Sequence, residues 1–306
     1  MKGNLRALPK FRDGLSFVYI EYAVVEKEEH SLVVFRESGR ISLPVASIGC
    51  LLLGPGTRVT HAAMVVLGEA GSSVAWVGET GVRFYAGGTG KSRSSRNLEA
   101  QARAFADPQR HMAVVRRLYS RRFLEALPAG LSLQQIRGRE GVRVREAYAD
   151  ASRLYGVEWN GRSYKQDSWA KADPVNRALS AGNACLYGIC HAALLATGFS
   201  PGLGFIHVGR QLSFVYDIAD LYKAEIVIPA AFEATNTASK PEAVVRKLVR
   251  QRISEGKLLG RMVRDLGWLF ELDDVDNSDF GGDGPGELWD LGSTVPGGVS
   301  HAGDAH

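Results

Sequence analysis

Among the residues of the types that hold hard metal ions, four stand out, and three of them sit where a purely structural reading is uncomfortable. Asp217 and Asp220, in the string SFVYDIADLYK, are three apart, so on a helix they share one face among Phe214, Val215, Ile218 and Leu221. Two carboxylates that close repel unless a cation lies between or beside them. A helix start at Ser213 offers Asp217 an ordinary alternative, a charge placed favourably near a helix N-terminus. His207 ends the apolar run Gly204-Phe205-Ile206 and precedes Val208-Gly209; a lone histidine there is more commonly a core residue with its polar atoms satisfied. Glu140, in RGREG, lies one turn beyond Arg137 and next to Arg139. By itself it reads as a surface ion pair, and no spacing brings it to His207. Together, two or three carboxylates and one imidazole make a mainly oxygen site suited to Mg2+ or Mn2+, with Mn2+ the more tolerant of nitrogen. Such an ion polarises a phosphodiester and activates an attacking hydroxyl, which suits in-line displacement.

The charge pattern points to the same substrate class. A formal net charge of +4 hides a strong asymmetry: Lys91 to Lys165 carries 16 Lys and Arg against 7 Asp and Glu, whereas Glu271 to His306 carries 9 acids and no Lys or Arg. Fourteen of those 16 cations are arginines, whose planar fork matches phosphate in a bidentate manner. A nucleic-acid partner is the first expectation from a basic middle of this kind, the plainer alternative being a soluble helical surface. The three cysteines, Cys50, Cys185 and Cys190, have no CxxC spacing and an odd count, so they predict core residues rather than a zinc knuckle or disulfides. No run approaches the roughly 20 uncharged apolar residues of a membrane helix, and the start of the sequence lacks an apolar signal core. The expectation is a cytoplasmic protein without a membrane partner.

The elements that must position these residues divide the chain. From Leu15 to about Tyr85 short β-rich runs (LSFVYIEYAVV, SLVVFRE, GRISLPV, CLLLG, SSVAWVG, GVRFYAG) alternate with turns, with one helix near Thr60–Ala70. Residues 86–96, containing AGGTGKSRSS, form a Gly/Ser-rich linker. That stretch looks like a phosphate loop, but GxxxxGK[ST] needs glycine where Tyr85 stands, so an ATP site is not encoded. Beyond Asn97 the apolar period becomes helical, with Asp173 and Pro174 a clear N-cap and first-turn proline. Helices are predicted near Ser213–Lys223, Lys240–Ile253 and Lys257–Phe270. The fold class is therefore α+β: a small N-terminal β-rich domain (1–85), the linker, a mostly α-helical catalytic domain (97–272), and an acidic, glycine-rich tail (273–306) expected to be disordered.

At this point the strings become recognisable. PGTRVTHAAM, GVRFYAGG, RGREG, YGVEWNGRSY, ACLYG and GFIHVGRQLSFVYDIADLYK, in order from about Leu15 to Leu272, resemble the CRISPR-associated spacer integrases (the Cas-one proteins) of the type I-E systems. The histidine and VYDIAD block is the most specific part. The resemblance implies homodimers that bind a dimer of a small second adaptation protein in a heterohexamer. It implies Glu140, His207 and Asp220 as metal ligands, with Asp217 a nearby essential carboxylate. It implies transesterification, the 3′-hydroxyl of a captured double-stranded or forked DNA fragment attacking a phosphodiester of the repeat. Less specifically, Arg58, Arg83, Arg210 and Lys223 match basic positions expected on backbone phosphate. Tyr22 resembles an aromatic that stacks on a duplex end, and Tyr164, Tyr187 and Tyr216 stand in strings near the metal or the single-stranded overhang. The first ten residues and everything after Leu272 match no pattern, and 234–251 fits loosely. Leu288-Trp289, an apolar pair in the acidic tail, has the look of a segment that docks on the second adaptation protein. A non-catalytic DNA-binding scaffold subunit is the rival that the same arginine-rich helices allow.

Overall fold

A computed structural model describes residues 17–29, 31–79, 84–88, 95–123, 125–128, 130–162, 173–272, 287–290 and 293–296. The first β-rich run does not form one strand. β1 (Phe17–Ile20) and β2 (Val24–Glu28) enter different sheets, because the chain turns at Glu21-Tyr22-Ala23, where Tyr22 adopts φ 48°. The Tyr22 N–H donates to the Pro55 carbonyl at 2.9 Å. Gly56 faces it at φ +69°, where an added Cβ would lie 2.6 Å from Tyr22 Cδ1, so only glycine fits.

One sheet has the order β4 (Gly39–Pro44), β3 (Ser31–Arg36), β2, β6 (Arg58–Val59); the other has β1, β5 (Cys50–Leu53), β7 (Ser73–Val77), β8 (Phe84–Gly88). In the second, β1, β5 and β7 run parallel and β8 antiparallel. The unbroken apolar run CLLL is explained by burial on both faces of β5. Leu51 and Leu53 join Val25, Leu32 and Val34 in a core closed by helix α1 (His61–Glu69), while Cys50 and Leu52 face the opposite way, with Ala192 and Ala196 of the helical half. Thr60 caps α1, its hydroxyl accepting from the Ala63 N–H.

The expected linker is shorter than the composition suggests. Ala86, Gly87 and Gly88 continue β8 by pairing with Trp76, Ala75 and Val74, and α2 begins at Arg96, leaving 89–94 outside the described residues. Small residues that a turn prediction takes for a linker are here backbone pairing on a sheet edge.

The helical half comprises α2 (Arg96–Ala106), α3 (Pro108–Ser120), α4 (Leu133–Tyr155), α5 (Pro174–Ala196), α6 (Ser213–Ala219), α7 (Lys223–Thr237), α8 (Pro241–Glu255) and α9 (Leu258–Phe270). Side-chain caps set several starts: Asp107 for α3, Ser132 in a capping box with Gln135 for α4, and Asp173 for α5. Helix α5 is the axis of the molecule, packed on α7 and α8 and on the second sheet. Among the described residues it alone is long and apolar enough to cross a membrane, yet 72% of its apolar window is buried inside the protein, which makes it a core helix. Cys50, Cys185 and Cys190 are free and buried, as their spacing predicts.

Two expectations are corrected. The helix predicted over Ser213–Lys223 stops at Ala219, and a second helix, α7, starts at Lys223 and continues through an internal Pro229 that masks it in the sequence. The tail is not irregular throughout: Glu287–Asp290 (β9) and Ser293–Pro296 (β10) pair antiparallel, Trp289 opposite Thr294. Two β-prone tetrapeptides supply the strands, and residues 291 and 292 between them lie outside the described residues.

Candidate active site

Each candidate ligand is delivered by a different kind of local structure. Glu140 comes from the middle of α4, His207 from the loop before α6, and Asp220 from the residue that ends α6. Asp217, inside α6, is fully buried and accepts four hydrogen bonds: from the backbone N–H groups of Phe205 (2.6 Å), Ile206 (3.1 Å) and His207 (2.9 Å), and from His207 Nδ1 (2.7 Å). The loop can curl so tightly because residue 204 is glycine: a Cβ there would stand 2.2 Å from the His207 carbonyl oxygen. Asp217 thereby fixes the imidazole with Nδ1–H donating and Nε2 left as the nitrogen open to a ligand. The same hydrogen bond is the main reason the His207 pKa is raised above its usual value, burial opposing it.

The two aspartates, three apart in the sequence, face different partners. Asp220 points to Lys223, whose Nζ lies 2.5 Å from Oδ1, and to Arg122, whose Nη1 lies 3.7 Å from Oδ2. Burial pushes the Asp220 carboxyl up, but Lys223 and Arg122 outweigh it and hold its pKa below the ordinary value. Asp217 needs no cation because four N–H groups surround it. Ser213 does not cap α6 either; its hydroxyl accepts from the Arg210 N–H.

Glu140 is not the surface pair with Arg137 and Arg139 that its string suggests. It is largely buried and gripped bidentately by Arg143, at 2.8 and 2.9 Å, with Arg122 Nη1 at 3.3 Å. Its hydrogen bond to Glu140 is the chief cause of a raised pKa at Arg143. One guanidinium nitrogen of Arg122 thus stands between the carboxylates of Glu140 and Asp220. The Arg122 side chain is only 4% exposed, and its Nε and Nη2 have no hydrogen-bond partner. Among the described residues no three His, Cys, Asp or Glu side chains converge at ligand spacing; a cationic side chain occupies the meeting point. The donor set nevertheless suits a hard divalent ion: two carboxylates already gathered about a positive charge, beside an imidazole with its Nε2 uncommitted.

Glu140 and Asp220 open onto a cavity of about 560 Å3, whose lining also includes Arg122, Arg143, Tyr148, Arg162, Ser180, Asn183, Tyr187 and Lys223 but not His207. Tyr187 packs edge-on to Tyr216 (5.0 Å), Tyr216 edge-on to His207 (5.8 Å), and Lys223 Nζ lies 5.6 Å from the Tyr187 ring centre. Tyr148 stacks on Trp159 at 4.4 Å. Four cations, two tyrosines and an acidic end make a cavity fitted to a nucleotide, with phosphate near the cations and the flat groups against the rings.

Comparison with known proteins gives the family. The model for the family described as "CRISPR associated protein Cas1" matches residues 17–127 and 119–247. This chain belongs to that family. It is 55% identical to "CRISPR-associated endonuclease Cas1 2" of Thermus thermophilus over 98% of this chain and 94% of that protein. The "CRISPR-associated endonuclease Cas1" of Escherichia coli K12 is 41% identical over 82% of this chain and 83% of its own length. A crystal structure of a TtCas1–DNA complex superposes with a TM-score of 0.78 at 56% identity, covering 86% of this chain and 99% of that one. The α+β Cas1 fold, β-rich sheets followed by a largely helical region, is thereby shown.

Of the expected DNA contacts, Tyr187, Tyr216 and Lys223 lie in the cluster around His207 and Asp220, and Arg210 is exposed on the loop that follows His207. Tyr22 and Arg58 lie instead in the β half, Tyr22 66% exposed and Arg58 opposite Val24 on β6. Arg83 and Tyr164 lie outside the described residues. Sequence reasoning missed Arg122, Arg143, Tyr148 and Arg162. Arg143 could have been found, being three residues from Glu140 on a helix; Arg122 carries no local signal at all.

Proposed function

We propose that this protein is a metal-dependent DNA endonuclease and integrase of CRISPR adaptation, of the type I-E kind, which joins 3′-hydroxyl ends of captured DNA to the repeat of a CRISPR array. What supports the proposal is the meeting of Glu140 and Asp220 at Arg122 on the wall of a cation- and tyrosine-lined cavity, with the Asp217-held His207 packed on Tyr216 and Tyr216 on the cavity residue Tyr187, in a family with a close relative crystallised on DNA. Glu140, Asp220 and His207 Nε2 would hold Mg2+ or Mn2+, which when bound polarises the scissile phosphodiester and acidifies the attacking hydroxyl. Lys223 and Arg162 bind phosphate oxygens, and Tyr187 and Tyr148 hold the adjoining sugar and base. Asp217 keeps His207 in one tautomer. Tyr22 and Arg58 engage the duplex further out. The protein acts in the cytoplasm on double-stranded and forked DNA, as homodimers joined to the small second adaptation protein in a heterohexamer, with the tail around Leu288-Trp289 docking on that partner.

The test is strand joining on a labelled forked duplex with Mn2+ or Mg2+. Asp220→Ala and His207→Ala should each abolish joining while DNA binding, read by anisotropy, largely survives; joining that persists in either variant removes the site. A second reading, a non-catalytic DNA-binding scaffold subunit, draws support from the pairing of both carboxylates with Arg122 rather than with one another's ligand sphere. That scaffold would bind DNA identically with or without EDTA and never join strands.

A further inference from the structure

The charges around the candidate ligands are out of balance. Of the ionisable side chains lining the 560 Å3 cavity, Arg122, Arg143, Arg162 and Lys223 are cationic, and only Glu140 and Asp220 are anionic. Both carboxylates are already neutralised at contact distance, Glu140 by Arg143 and Arg122, Asp220 by Lys223 and Arg122. Asp217 adds little to the balance at this end, its charge being taken up by three backbone N–H groups and the His207 ring. A divalent ion entering here must displace or sit beside three cationic side chains, and in a partly buried site that repulsion is poorly screened. The cavity has the size and the flat walls for a nucleotide, and a phosphodiester is the group that would restore the balance.

We propose that metal and DNA enter this centre together: Arg122, Arg143 and Lys223 hold the carboxylates charge-saturated in the free protein, so a divalent cation binds weakly until DNA phosphate arrives. The inference rests on the assignment of Glu140, His207 and Asp220 as ligands and adds an order of events to it. Arg122 is then a positioning residue: it keeps two partly buried carboxylates close in the absence of metal, which they would otherwise resist by mutual repulsion, and withdraws from one or both when metal and phosphate are present. Its unpartnered Nε and Nη2 leave it few bonds to break in doing so. The consequence is a nuclease that carries little bound metal, and so little cutting capacity, away from its substrate. Linkage makes the effect reciprocal: the factor by which DNA tightens metal is the factor by which metal tightens DNA.

The experiment is a Mn2+ titration of the full-length protein followed by the EPR signal of free Mn2+, with and without a forked duplex whose 3′ ends are dideoxy and therefore unreactive. DNA alone and DNA with the Asp220→Ala protein serve as blanks. Mn2+ should bind the DNA complex roughly tenfold or more tightly than the free protein, and the same factor should appear in DNA affinity measured by anisotropy with and without Mn2+. Lys223→Met should tighten Mn2+ on the free protein, because it removes one competing charge from Asp220. Arg122→Met, once its circular dichroism matches the parent, should do the same and narrow the gap between free and DNA-bound states. Equal Mn2+ affinity with and without DNA, or a free protein whose affinity is unchanged in Lys223→Met, overturns the coupling while leaving the ligand assignment standing. No Mn2+ binding above the blanks in any state overturns the ligand assignment itself.

Discussion

Asp217 and Asp220 are the same residue type three positions apart, and the fold gives them opposite surroundings. Asp217 is wholly inside, with no cation within the contacts that satisfy it: three backbone N–H groups and an imidazole N–H converge on its two oxygens. Asp220, one turn later and partly exposed, is held by the side-chain cations of Lys223 and Arg122. The comparison teaches that a carboxylate surrounded by fixed backbone dipoles is a structural clamp, whereas one surrounded by side-chain cations is exchangeable. Backbone donors cannot leave without unfolding the loop. A guanidinium or an ammonium can swing aside and let another cation take its place.

The difference can be broken at its strong end first. Asp217→Ala strands four donors, of which the Phe205 N–H is buried and the others part-buried, and should destabilise the protein by about 3 kcal/mol in urea unfolding. Asp220→Ala should cost far less, and a loss for Asp220→Ala equal to that for Asp217→Ala would erase the distinction. A second prediction concerns function without unfolding. Asp217→Asn keeps the side-chain outline but turns an NH2 toward two of the four donors; once its circular dichroism matches the parent, strand joining should fall by roughly 10–100-fold, the usual effect of losing a partner that orients a metal-ligating histidine.

pH separates the two roles further. The His207 pKa is raised chiefly by its hydrogen bond to Asp217, so the charged pair stabilises the fold fully below the ordinary histidine value of about 6.5 and loses that contribution as pH climbs through the raised value. Activity should run the other way, because only the neutral ring offers Nε2 to a ligand. The rising limb of the pH profile for strand joining should therefore lie above the ordinary histidine value in the parent and move down in Asp217→Asn. A limb in the same place for both proteins would show that the clamp does not tune His207. The smallest effect is expected where a pair has neither burial nor fixed donors: Arg40 and Glu28 meet at 3.3 Å with both side chains more than half exposed. Arg40→Ala should change stability by less than about 0.5 kcal/mol.

Much of the fold was legible in the residues. The change from β-rich runs to a helical period near Asn97, the helix near Thr60–Ala70, the cap at Asp173, and the burial of all three cysteines follow from local chemistry and from alternation of apolar positions. Where local signals misled, the physical cause is specific. Ala86-Gly87-Gly88 resembles a linker because glycine favours turns, but pairing with β7 needs no side chain. Pro229 hides α7 because proline is read as a stop, although an interior proline costs a helix one hydrogen bond that tertiary packing can offset. The long first run splits at Tyr22 because Gly56 leaves room for a turn that the run itself does not announce.

The candidate site divides in the same way. Sequence alone determined which side chains could bind a hard cation and a phosphate, that the chain carries a basic, arginine-rich middle, and, through the spelling of the VYDIAD block, which family it resembles. Only the tertiary structure decided who neutralises whom. Arg122 reaches Glu140 and Asp220 from the turn after α3, while Asp217 turns away from its neighbour to bind a loop, and neither choice has any periodicity to reveal it. Charge acts through space and spacing acts along the chain, so two carboxylates with one spelling acquire different work only when distant segments have been packed against them.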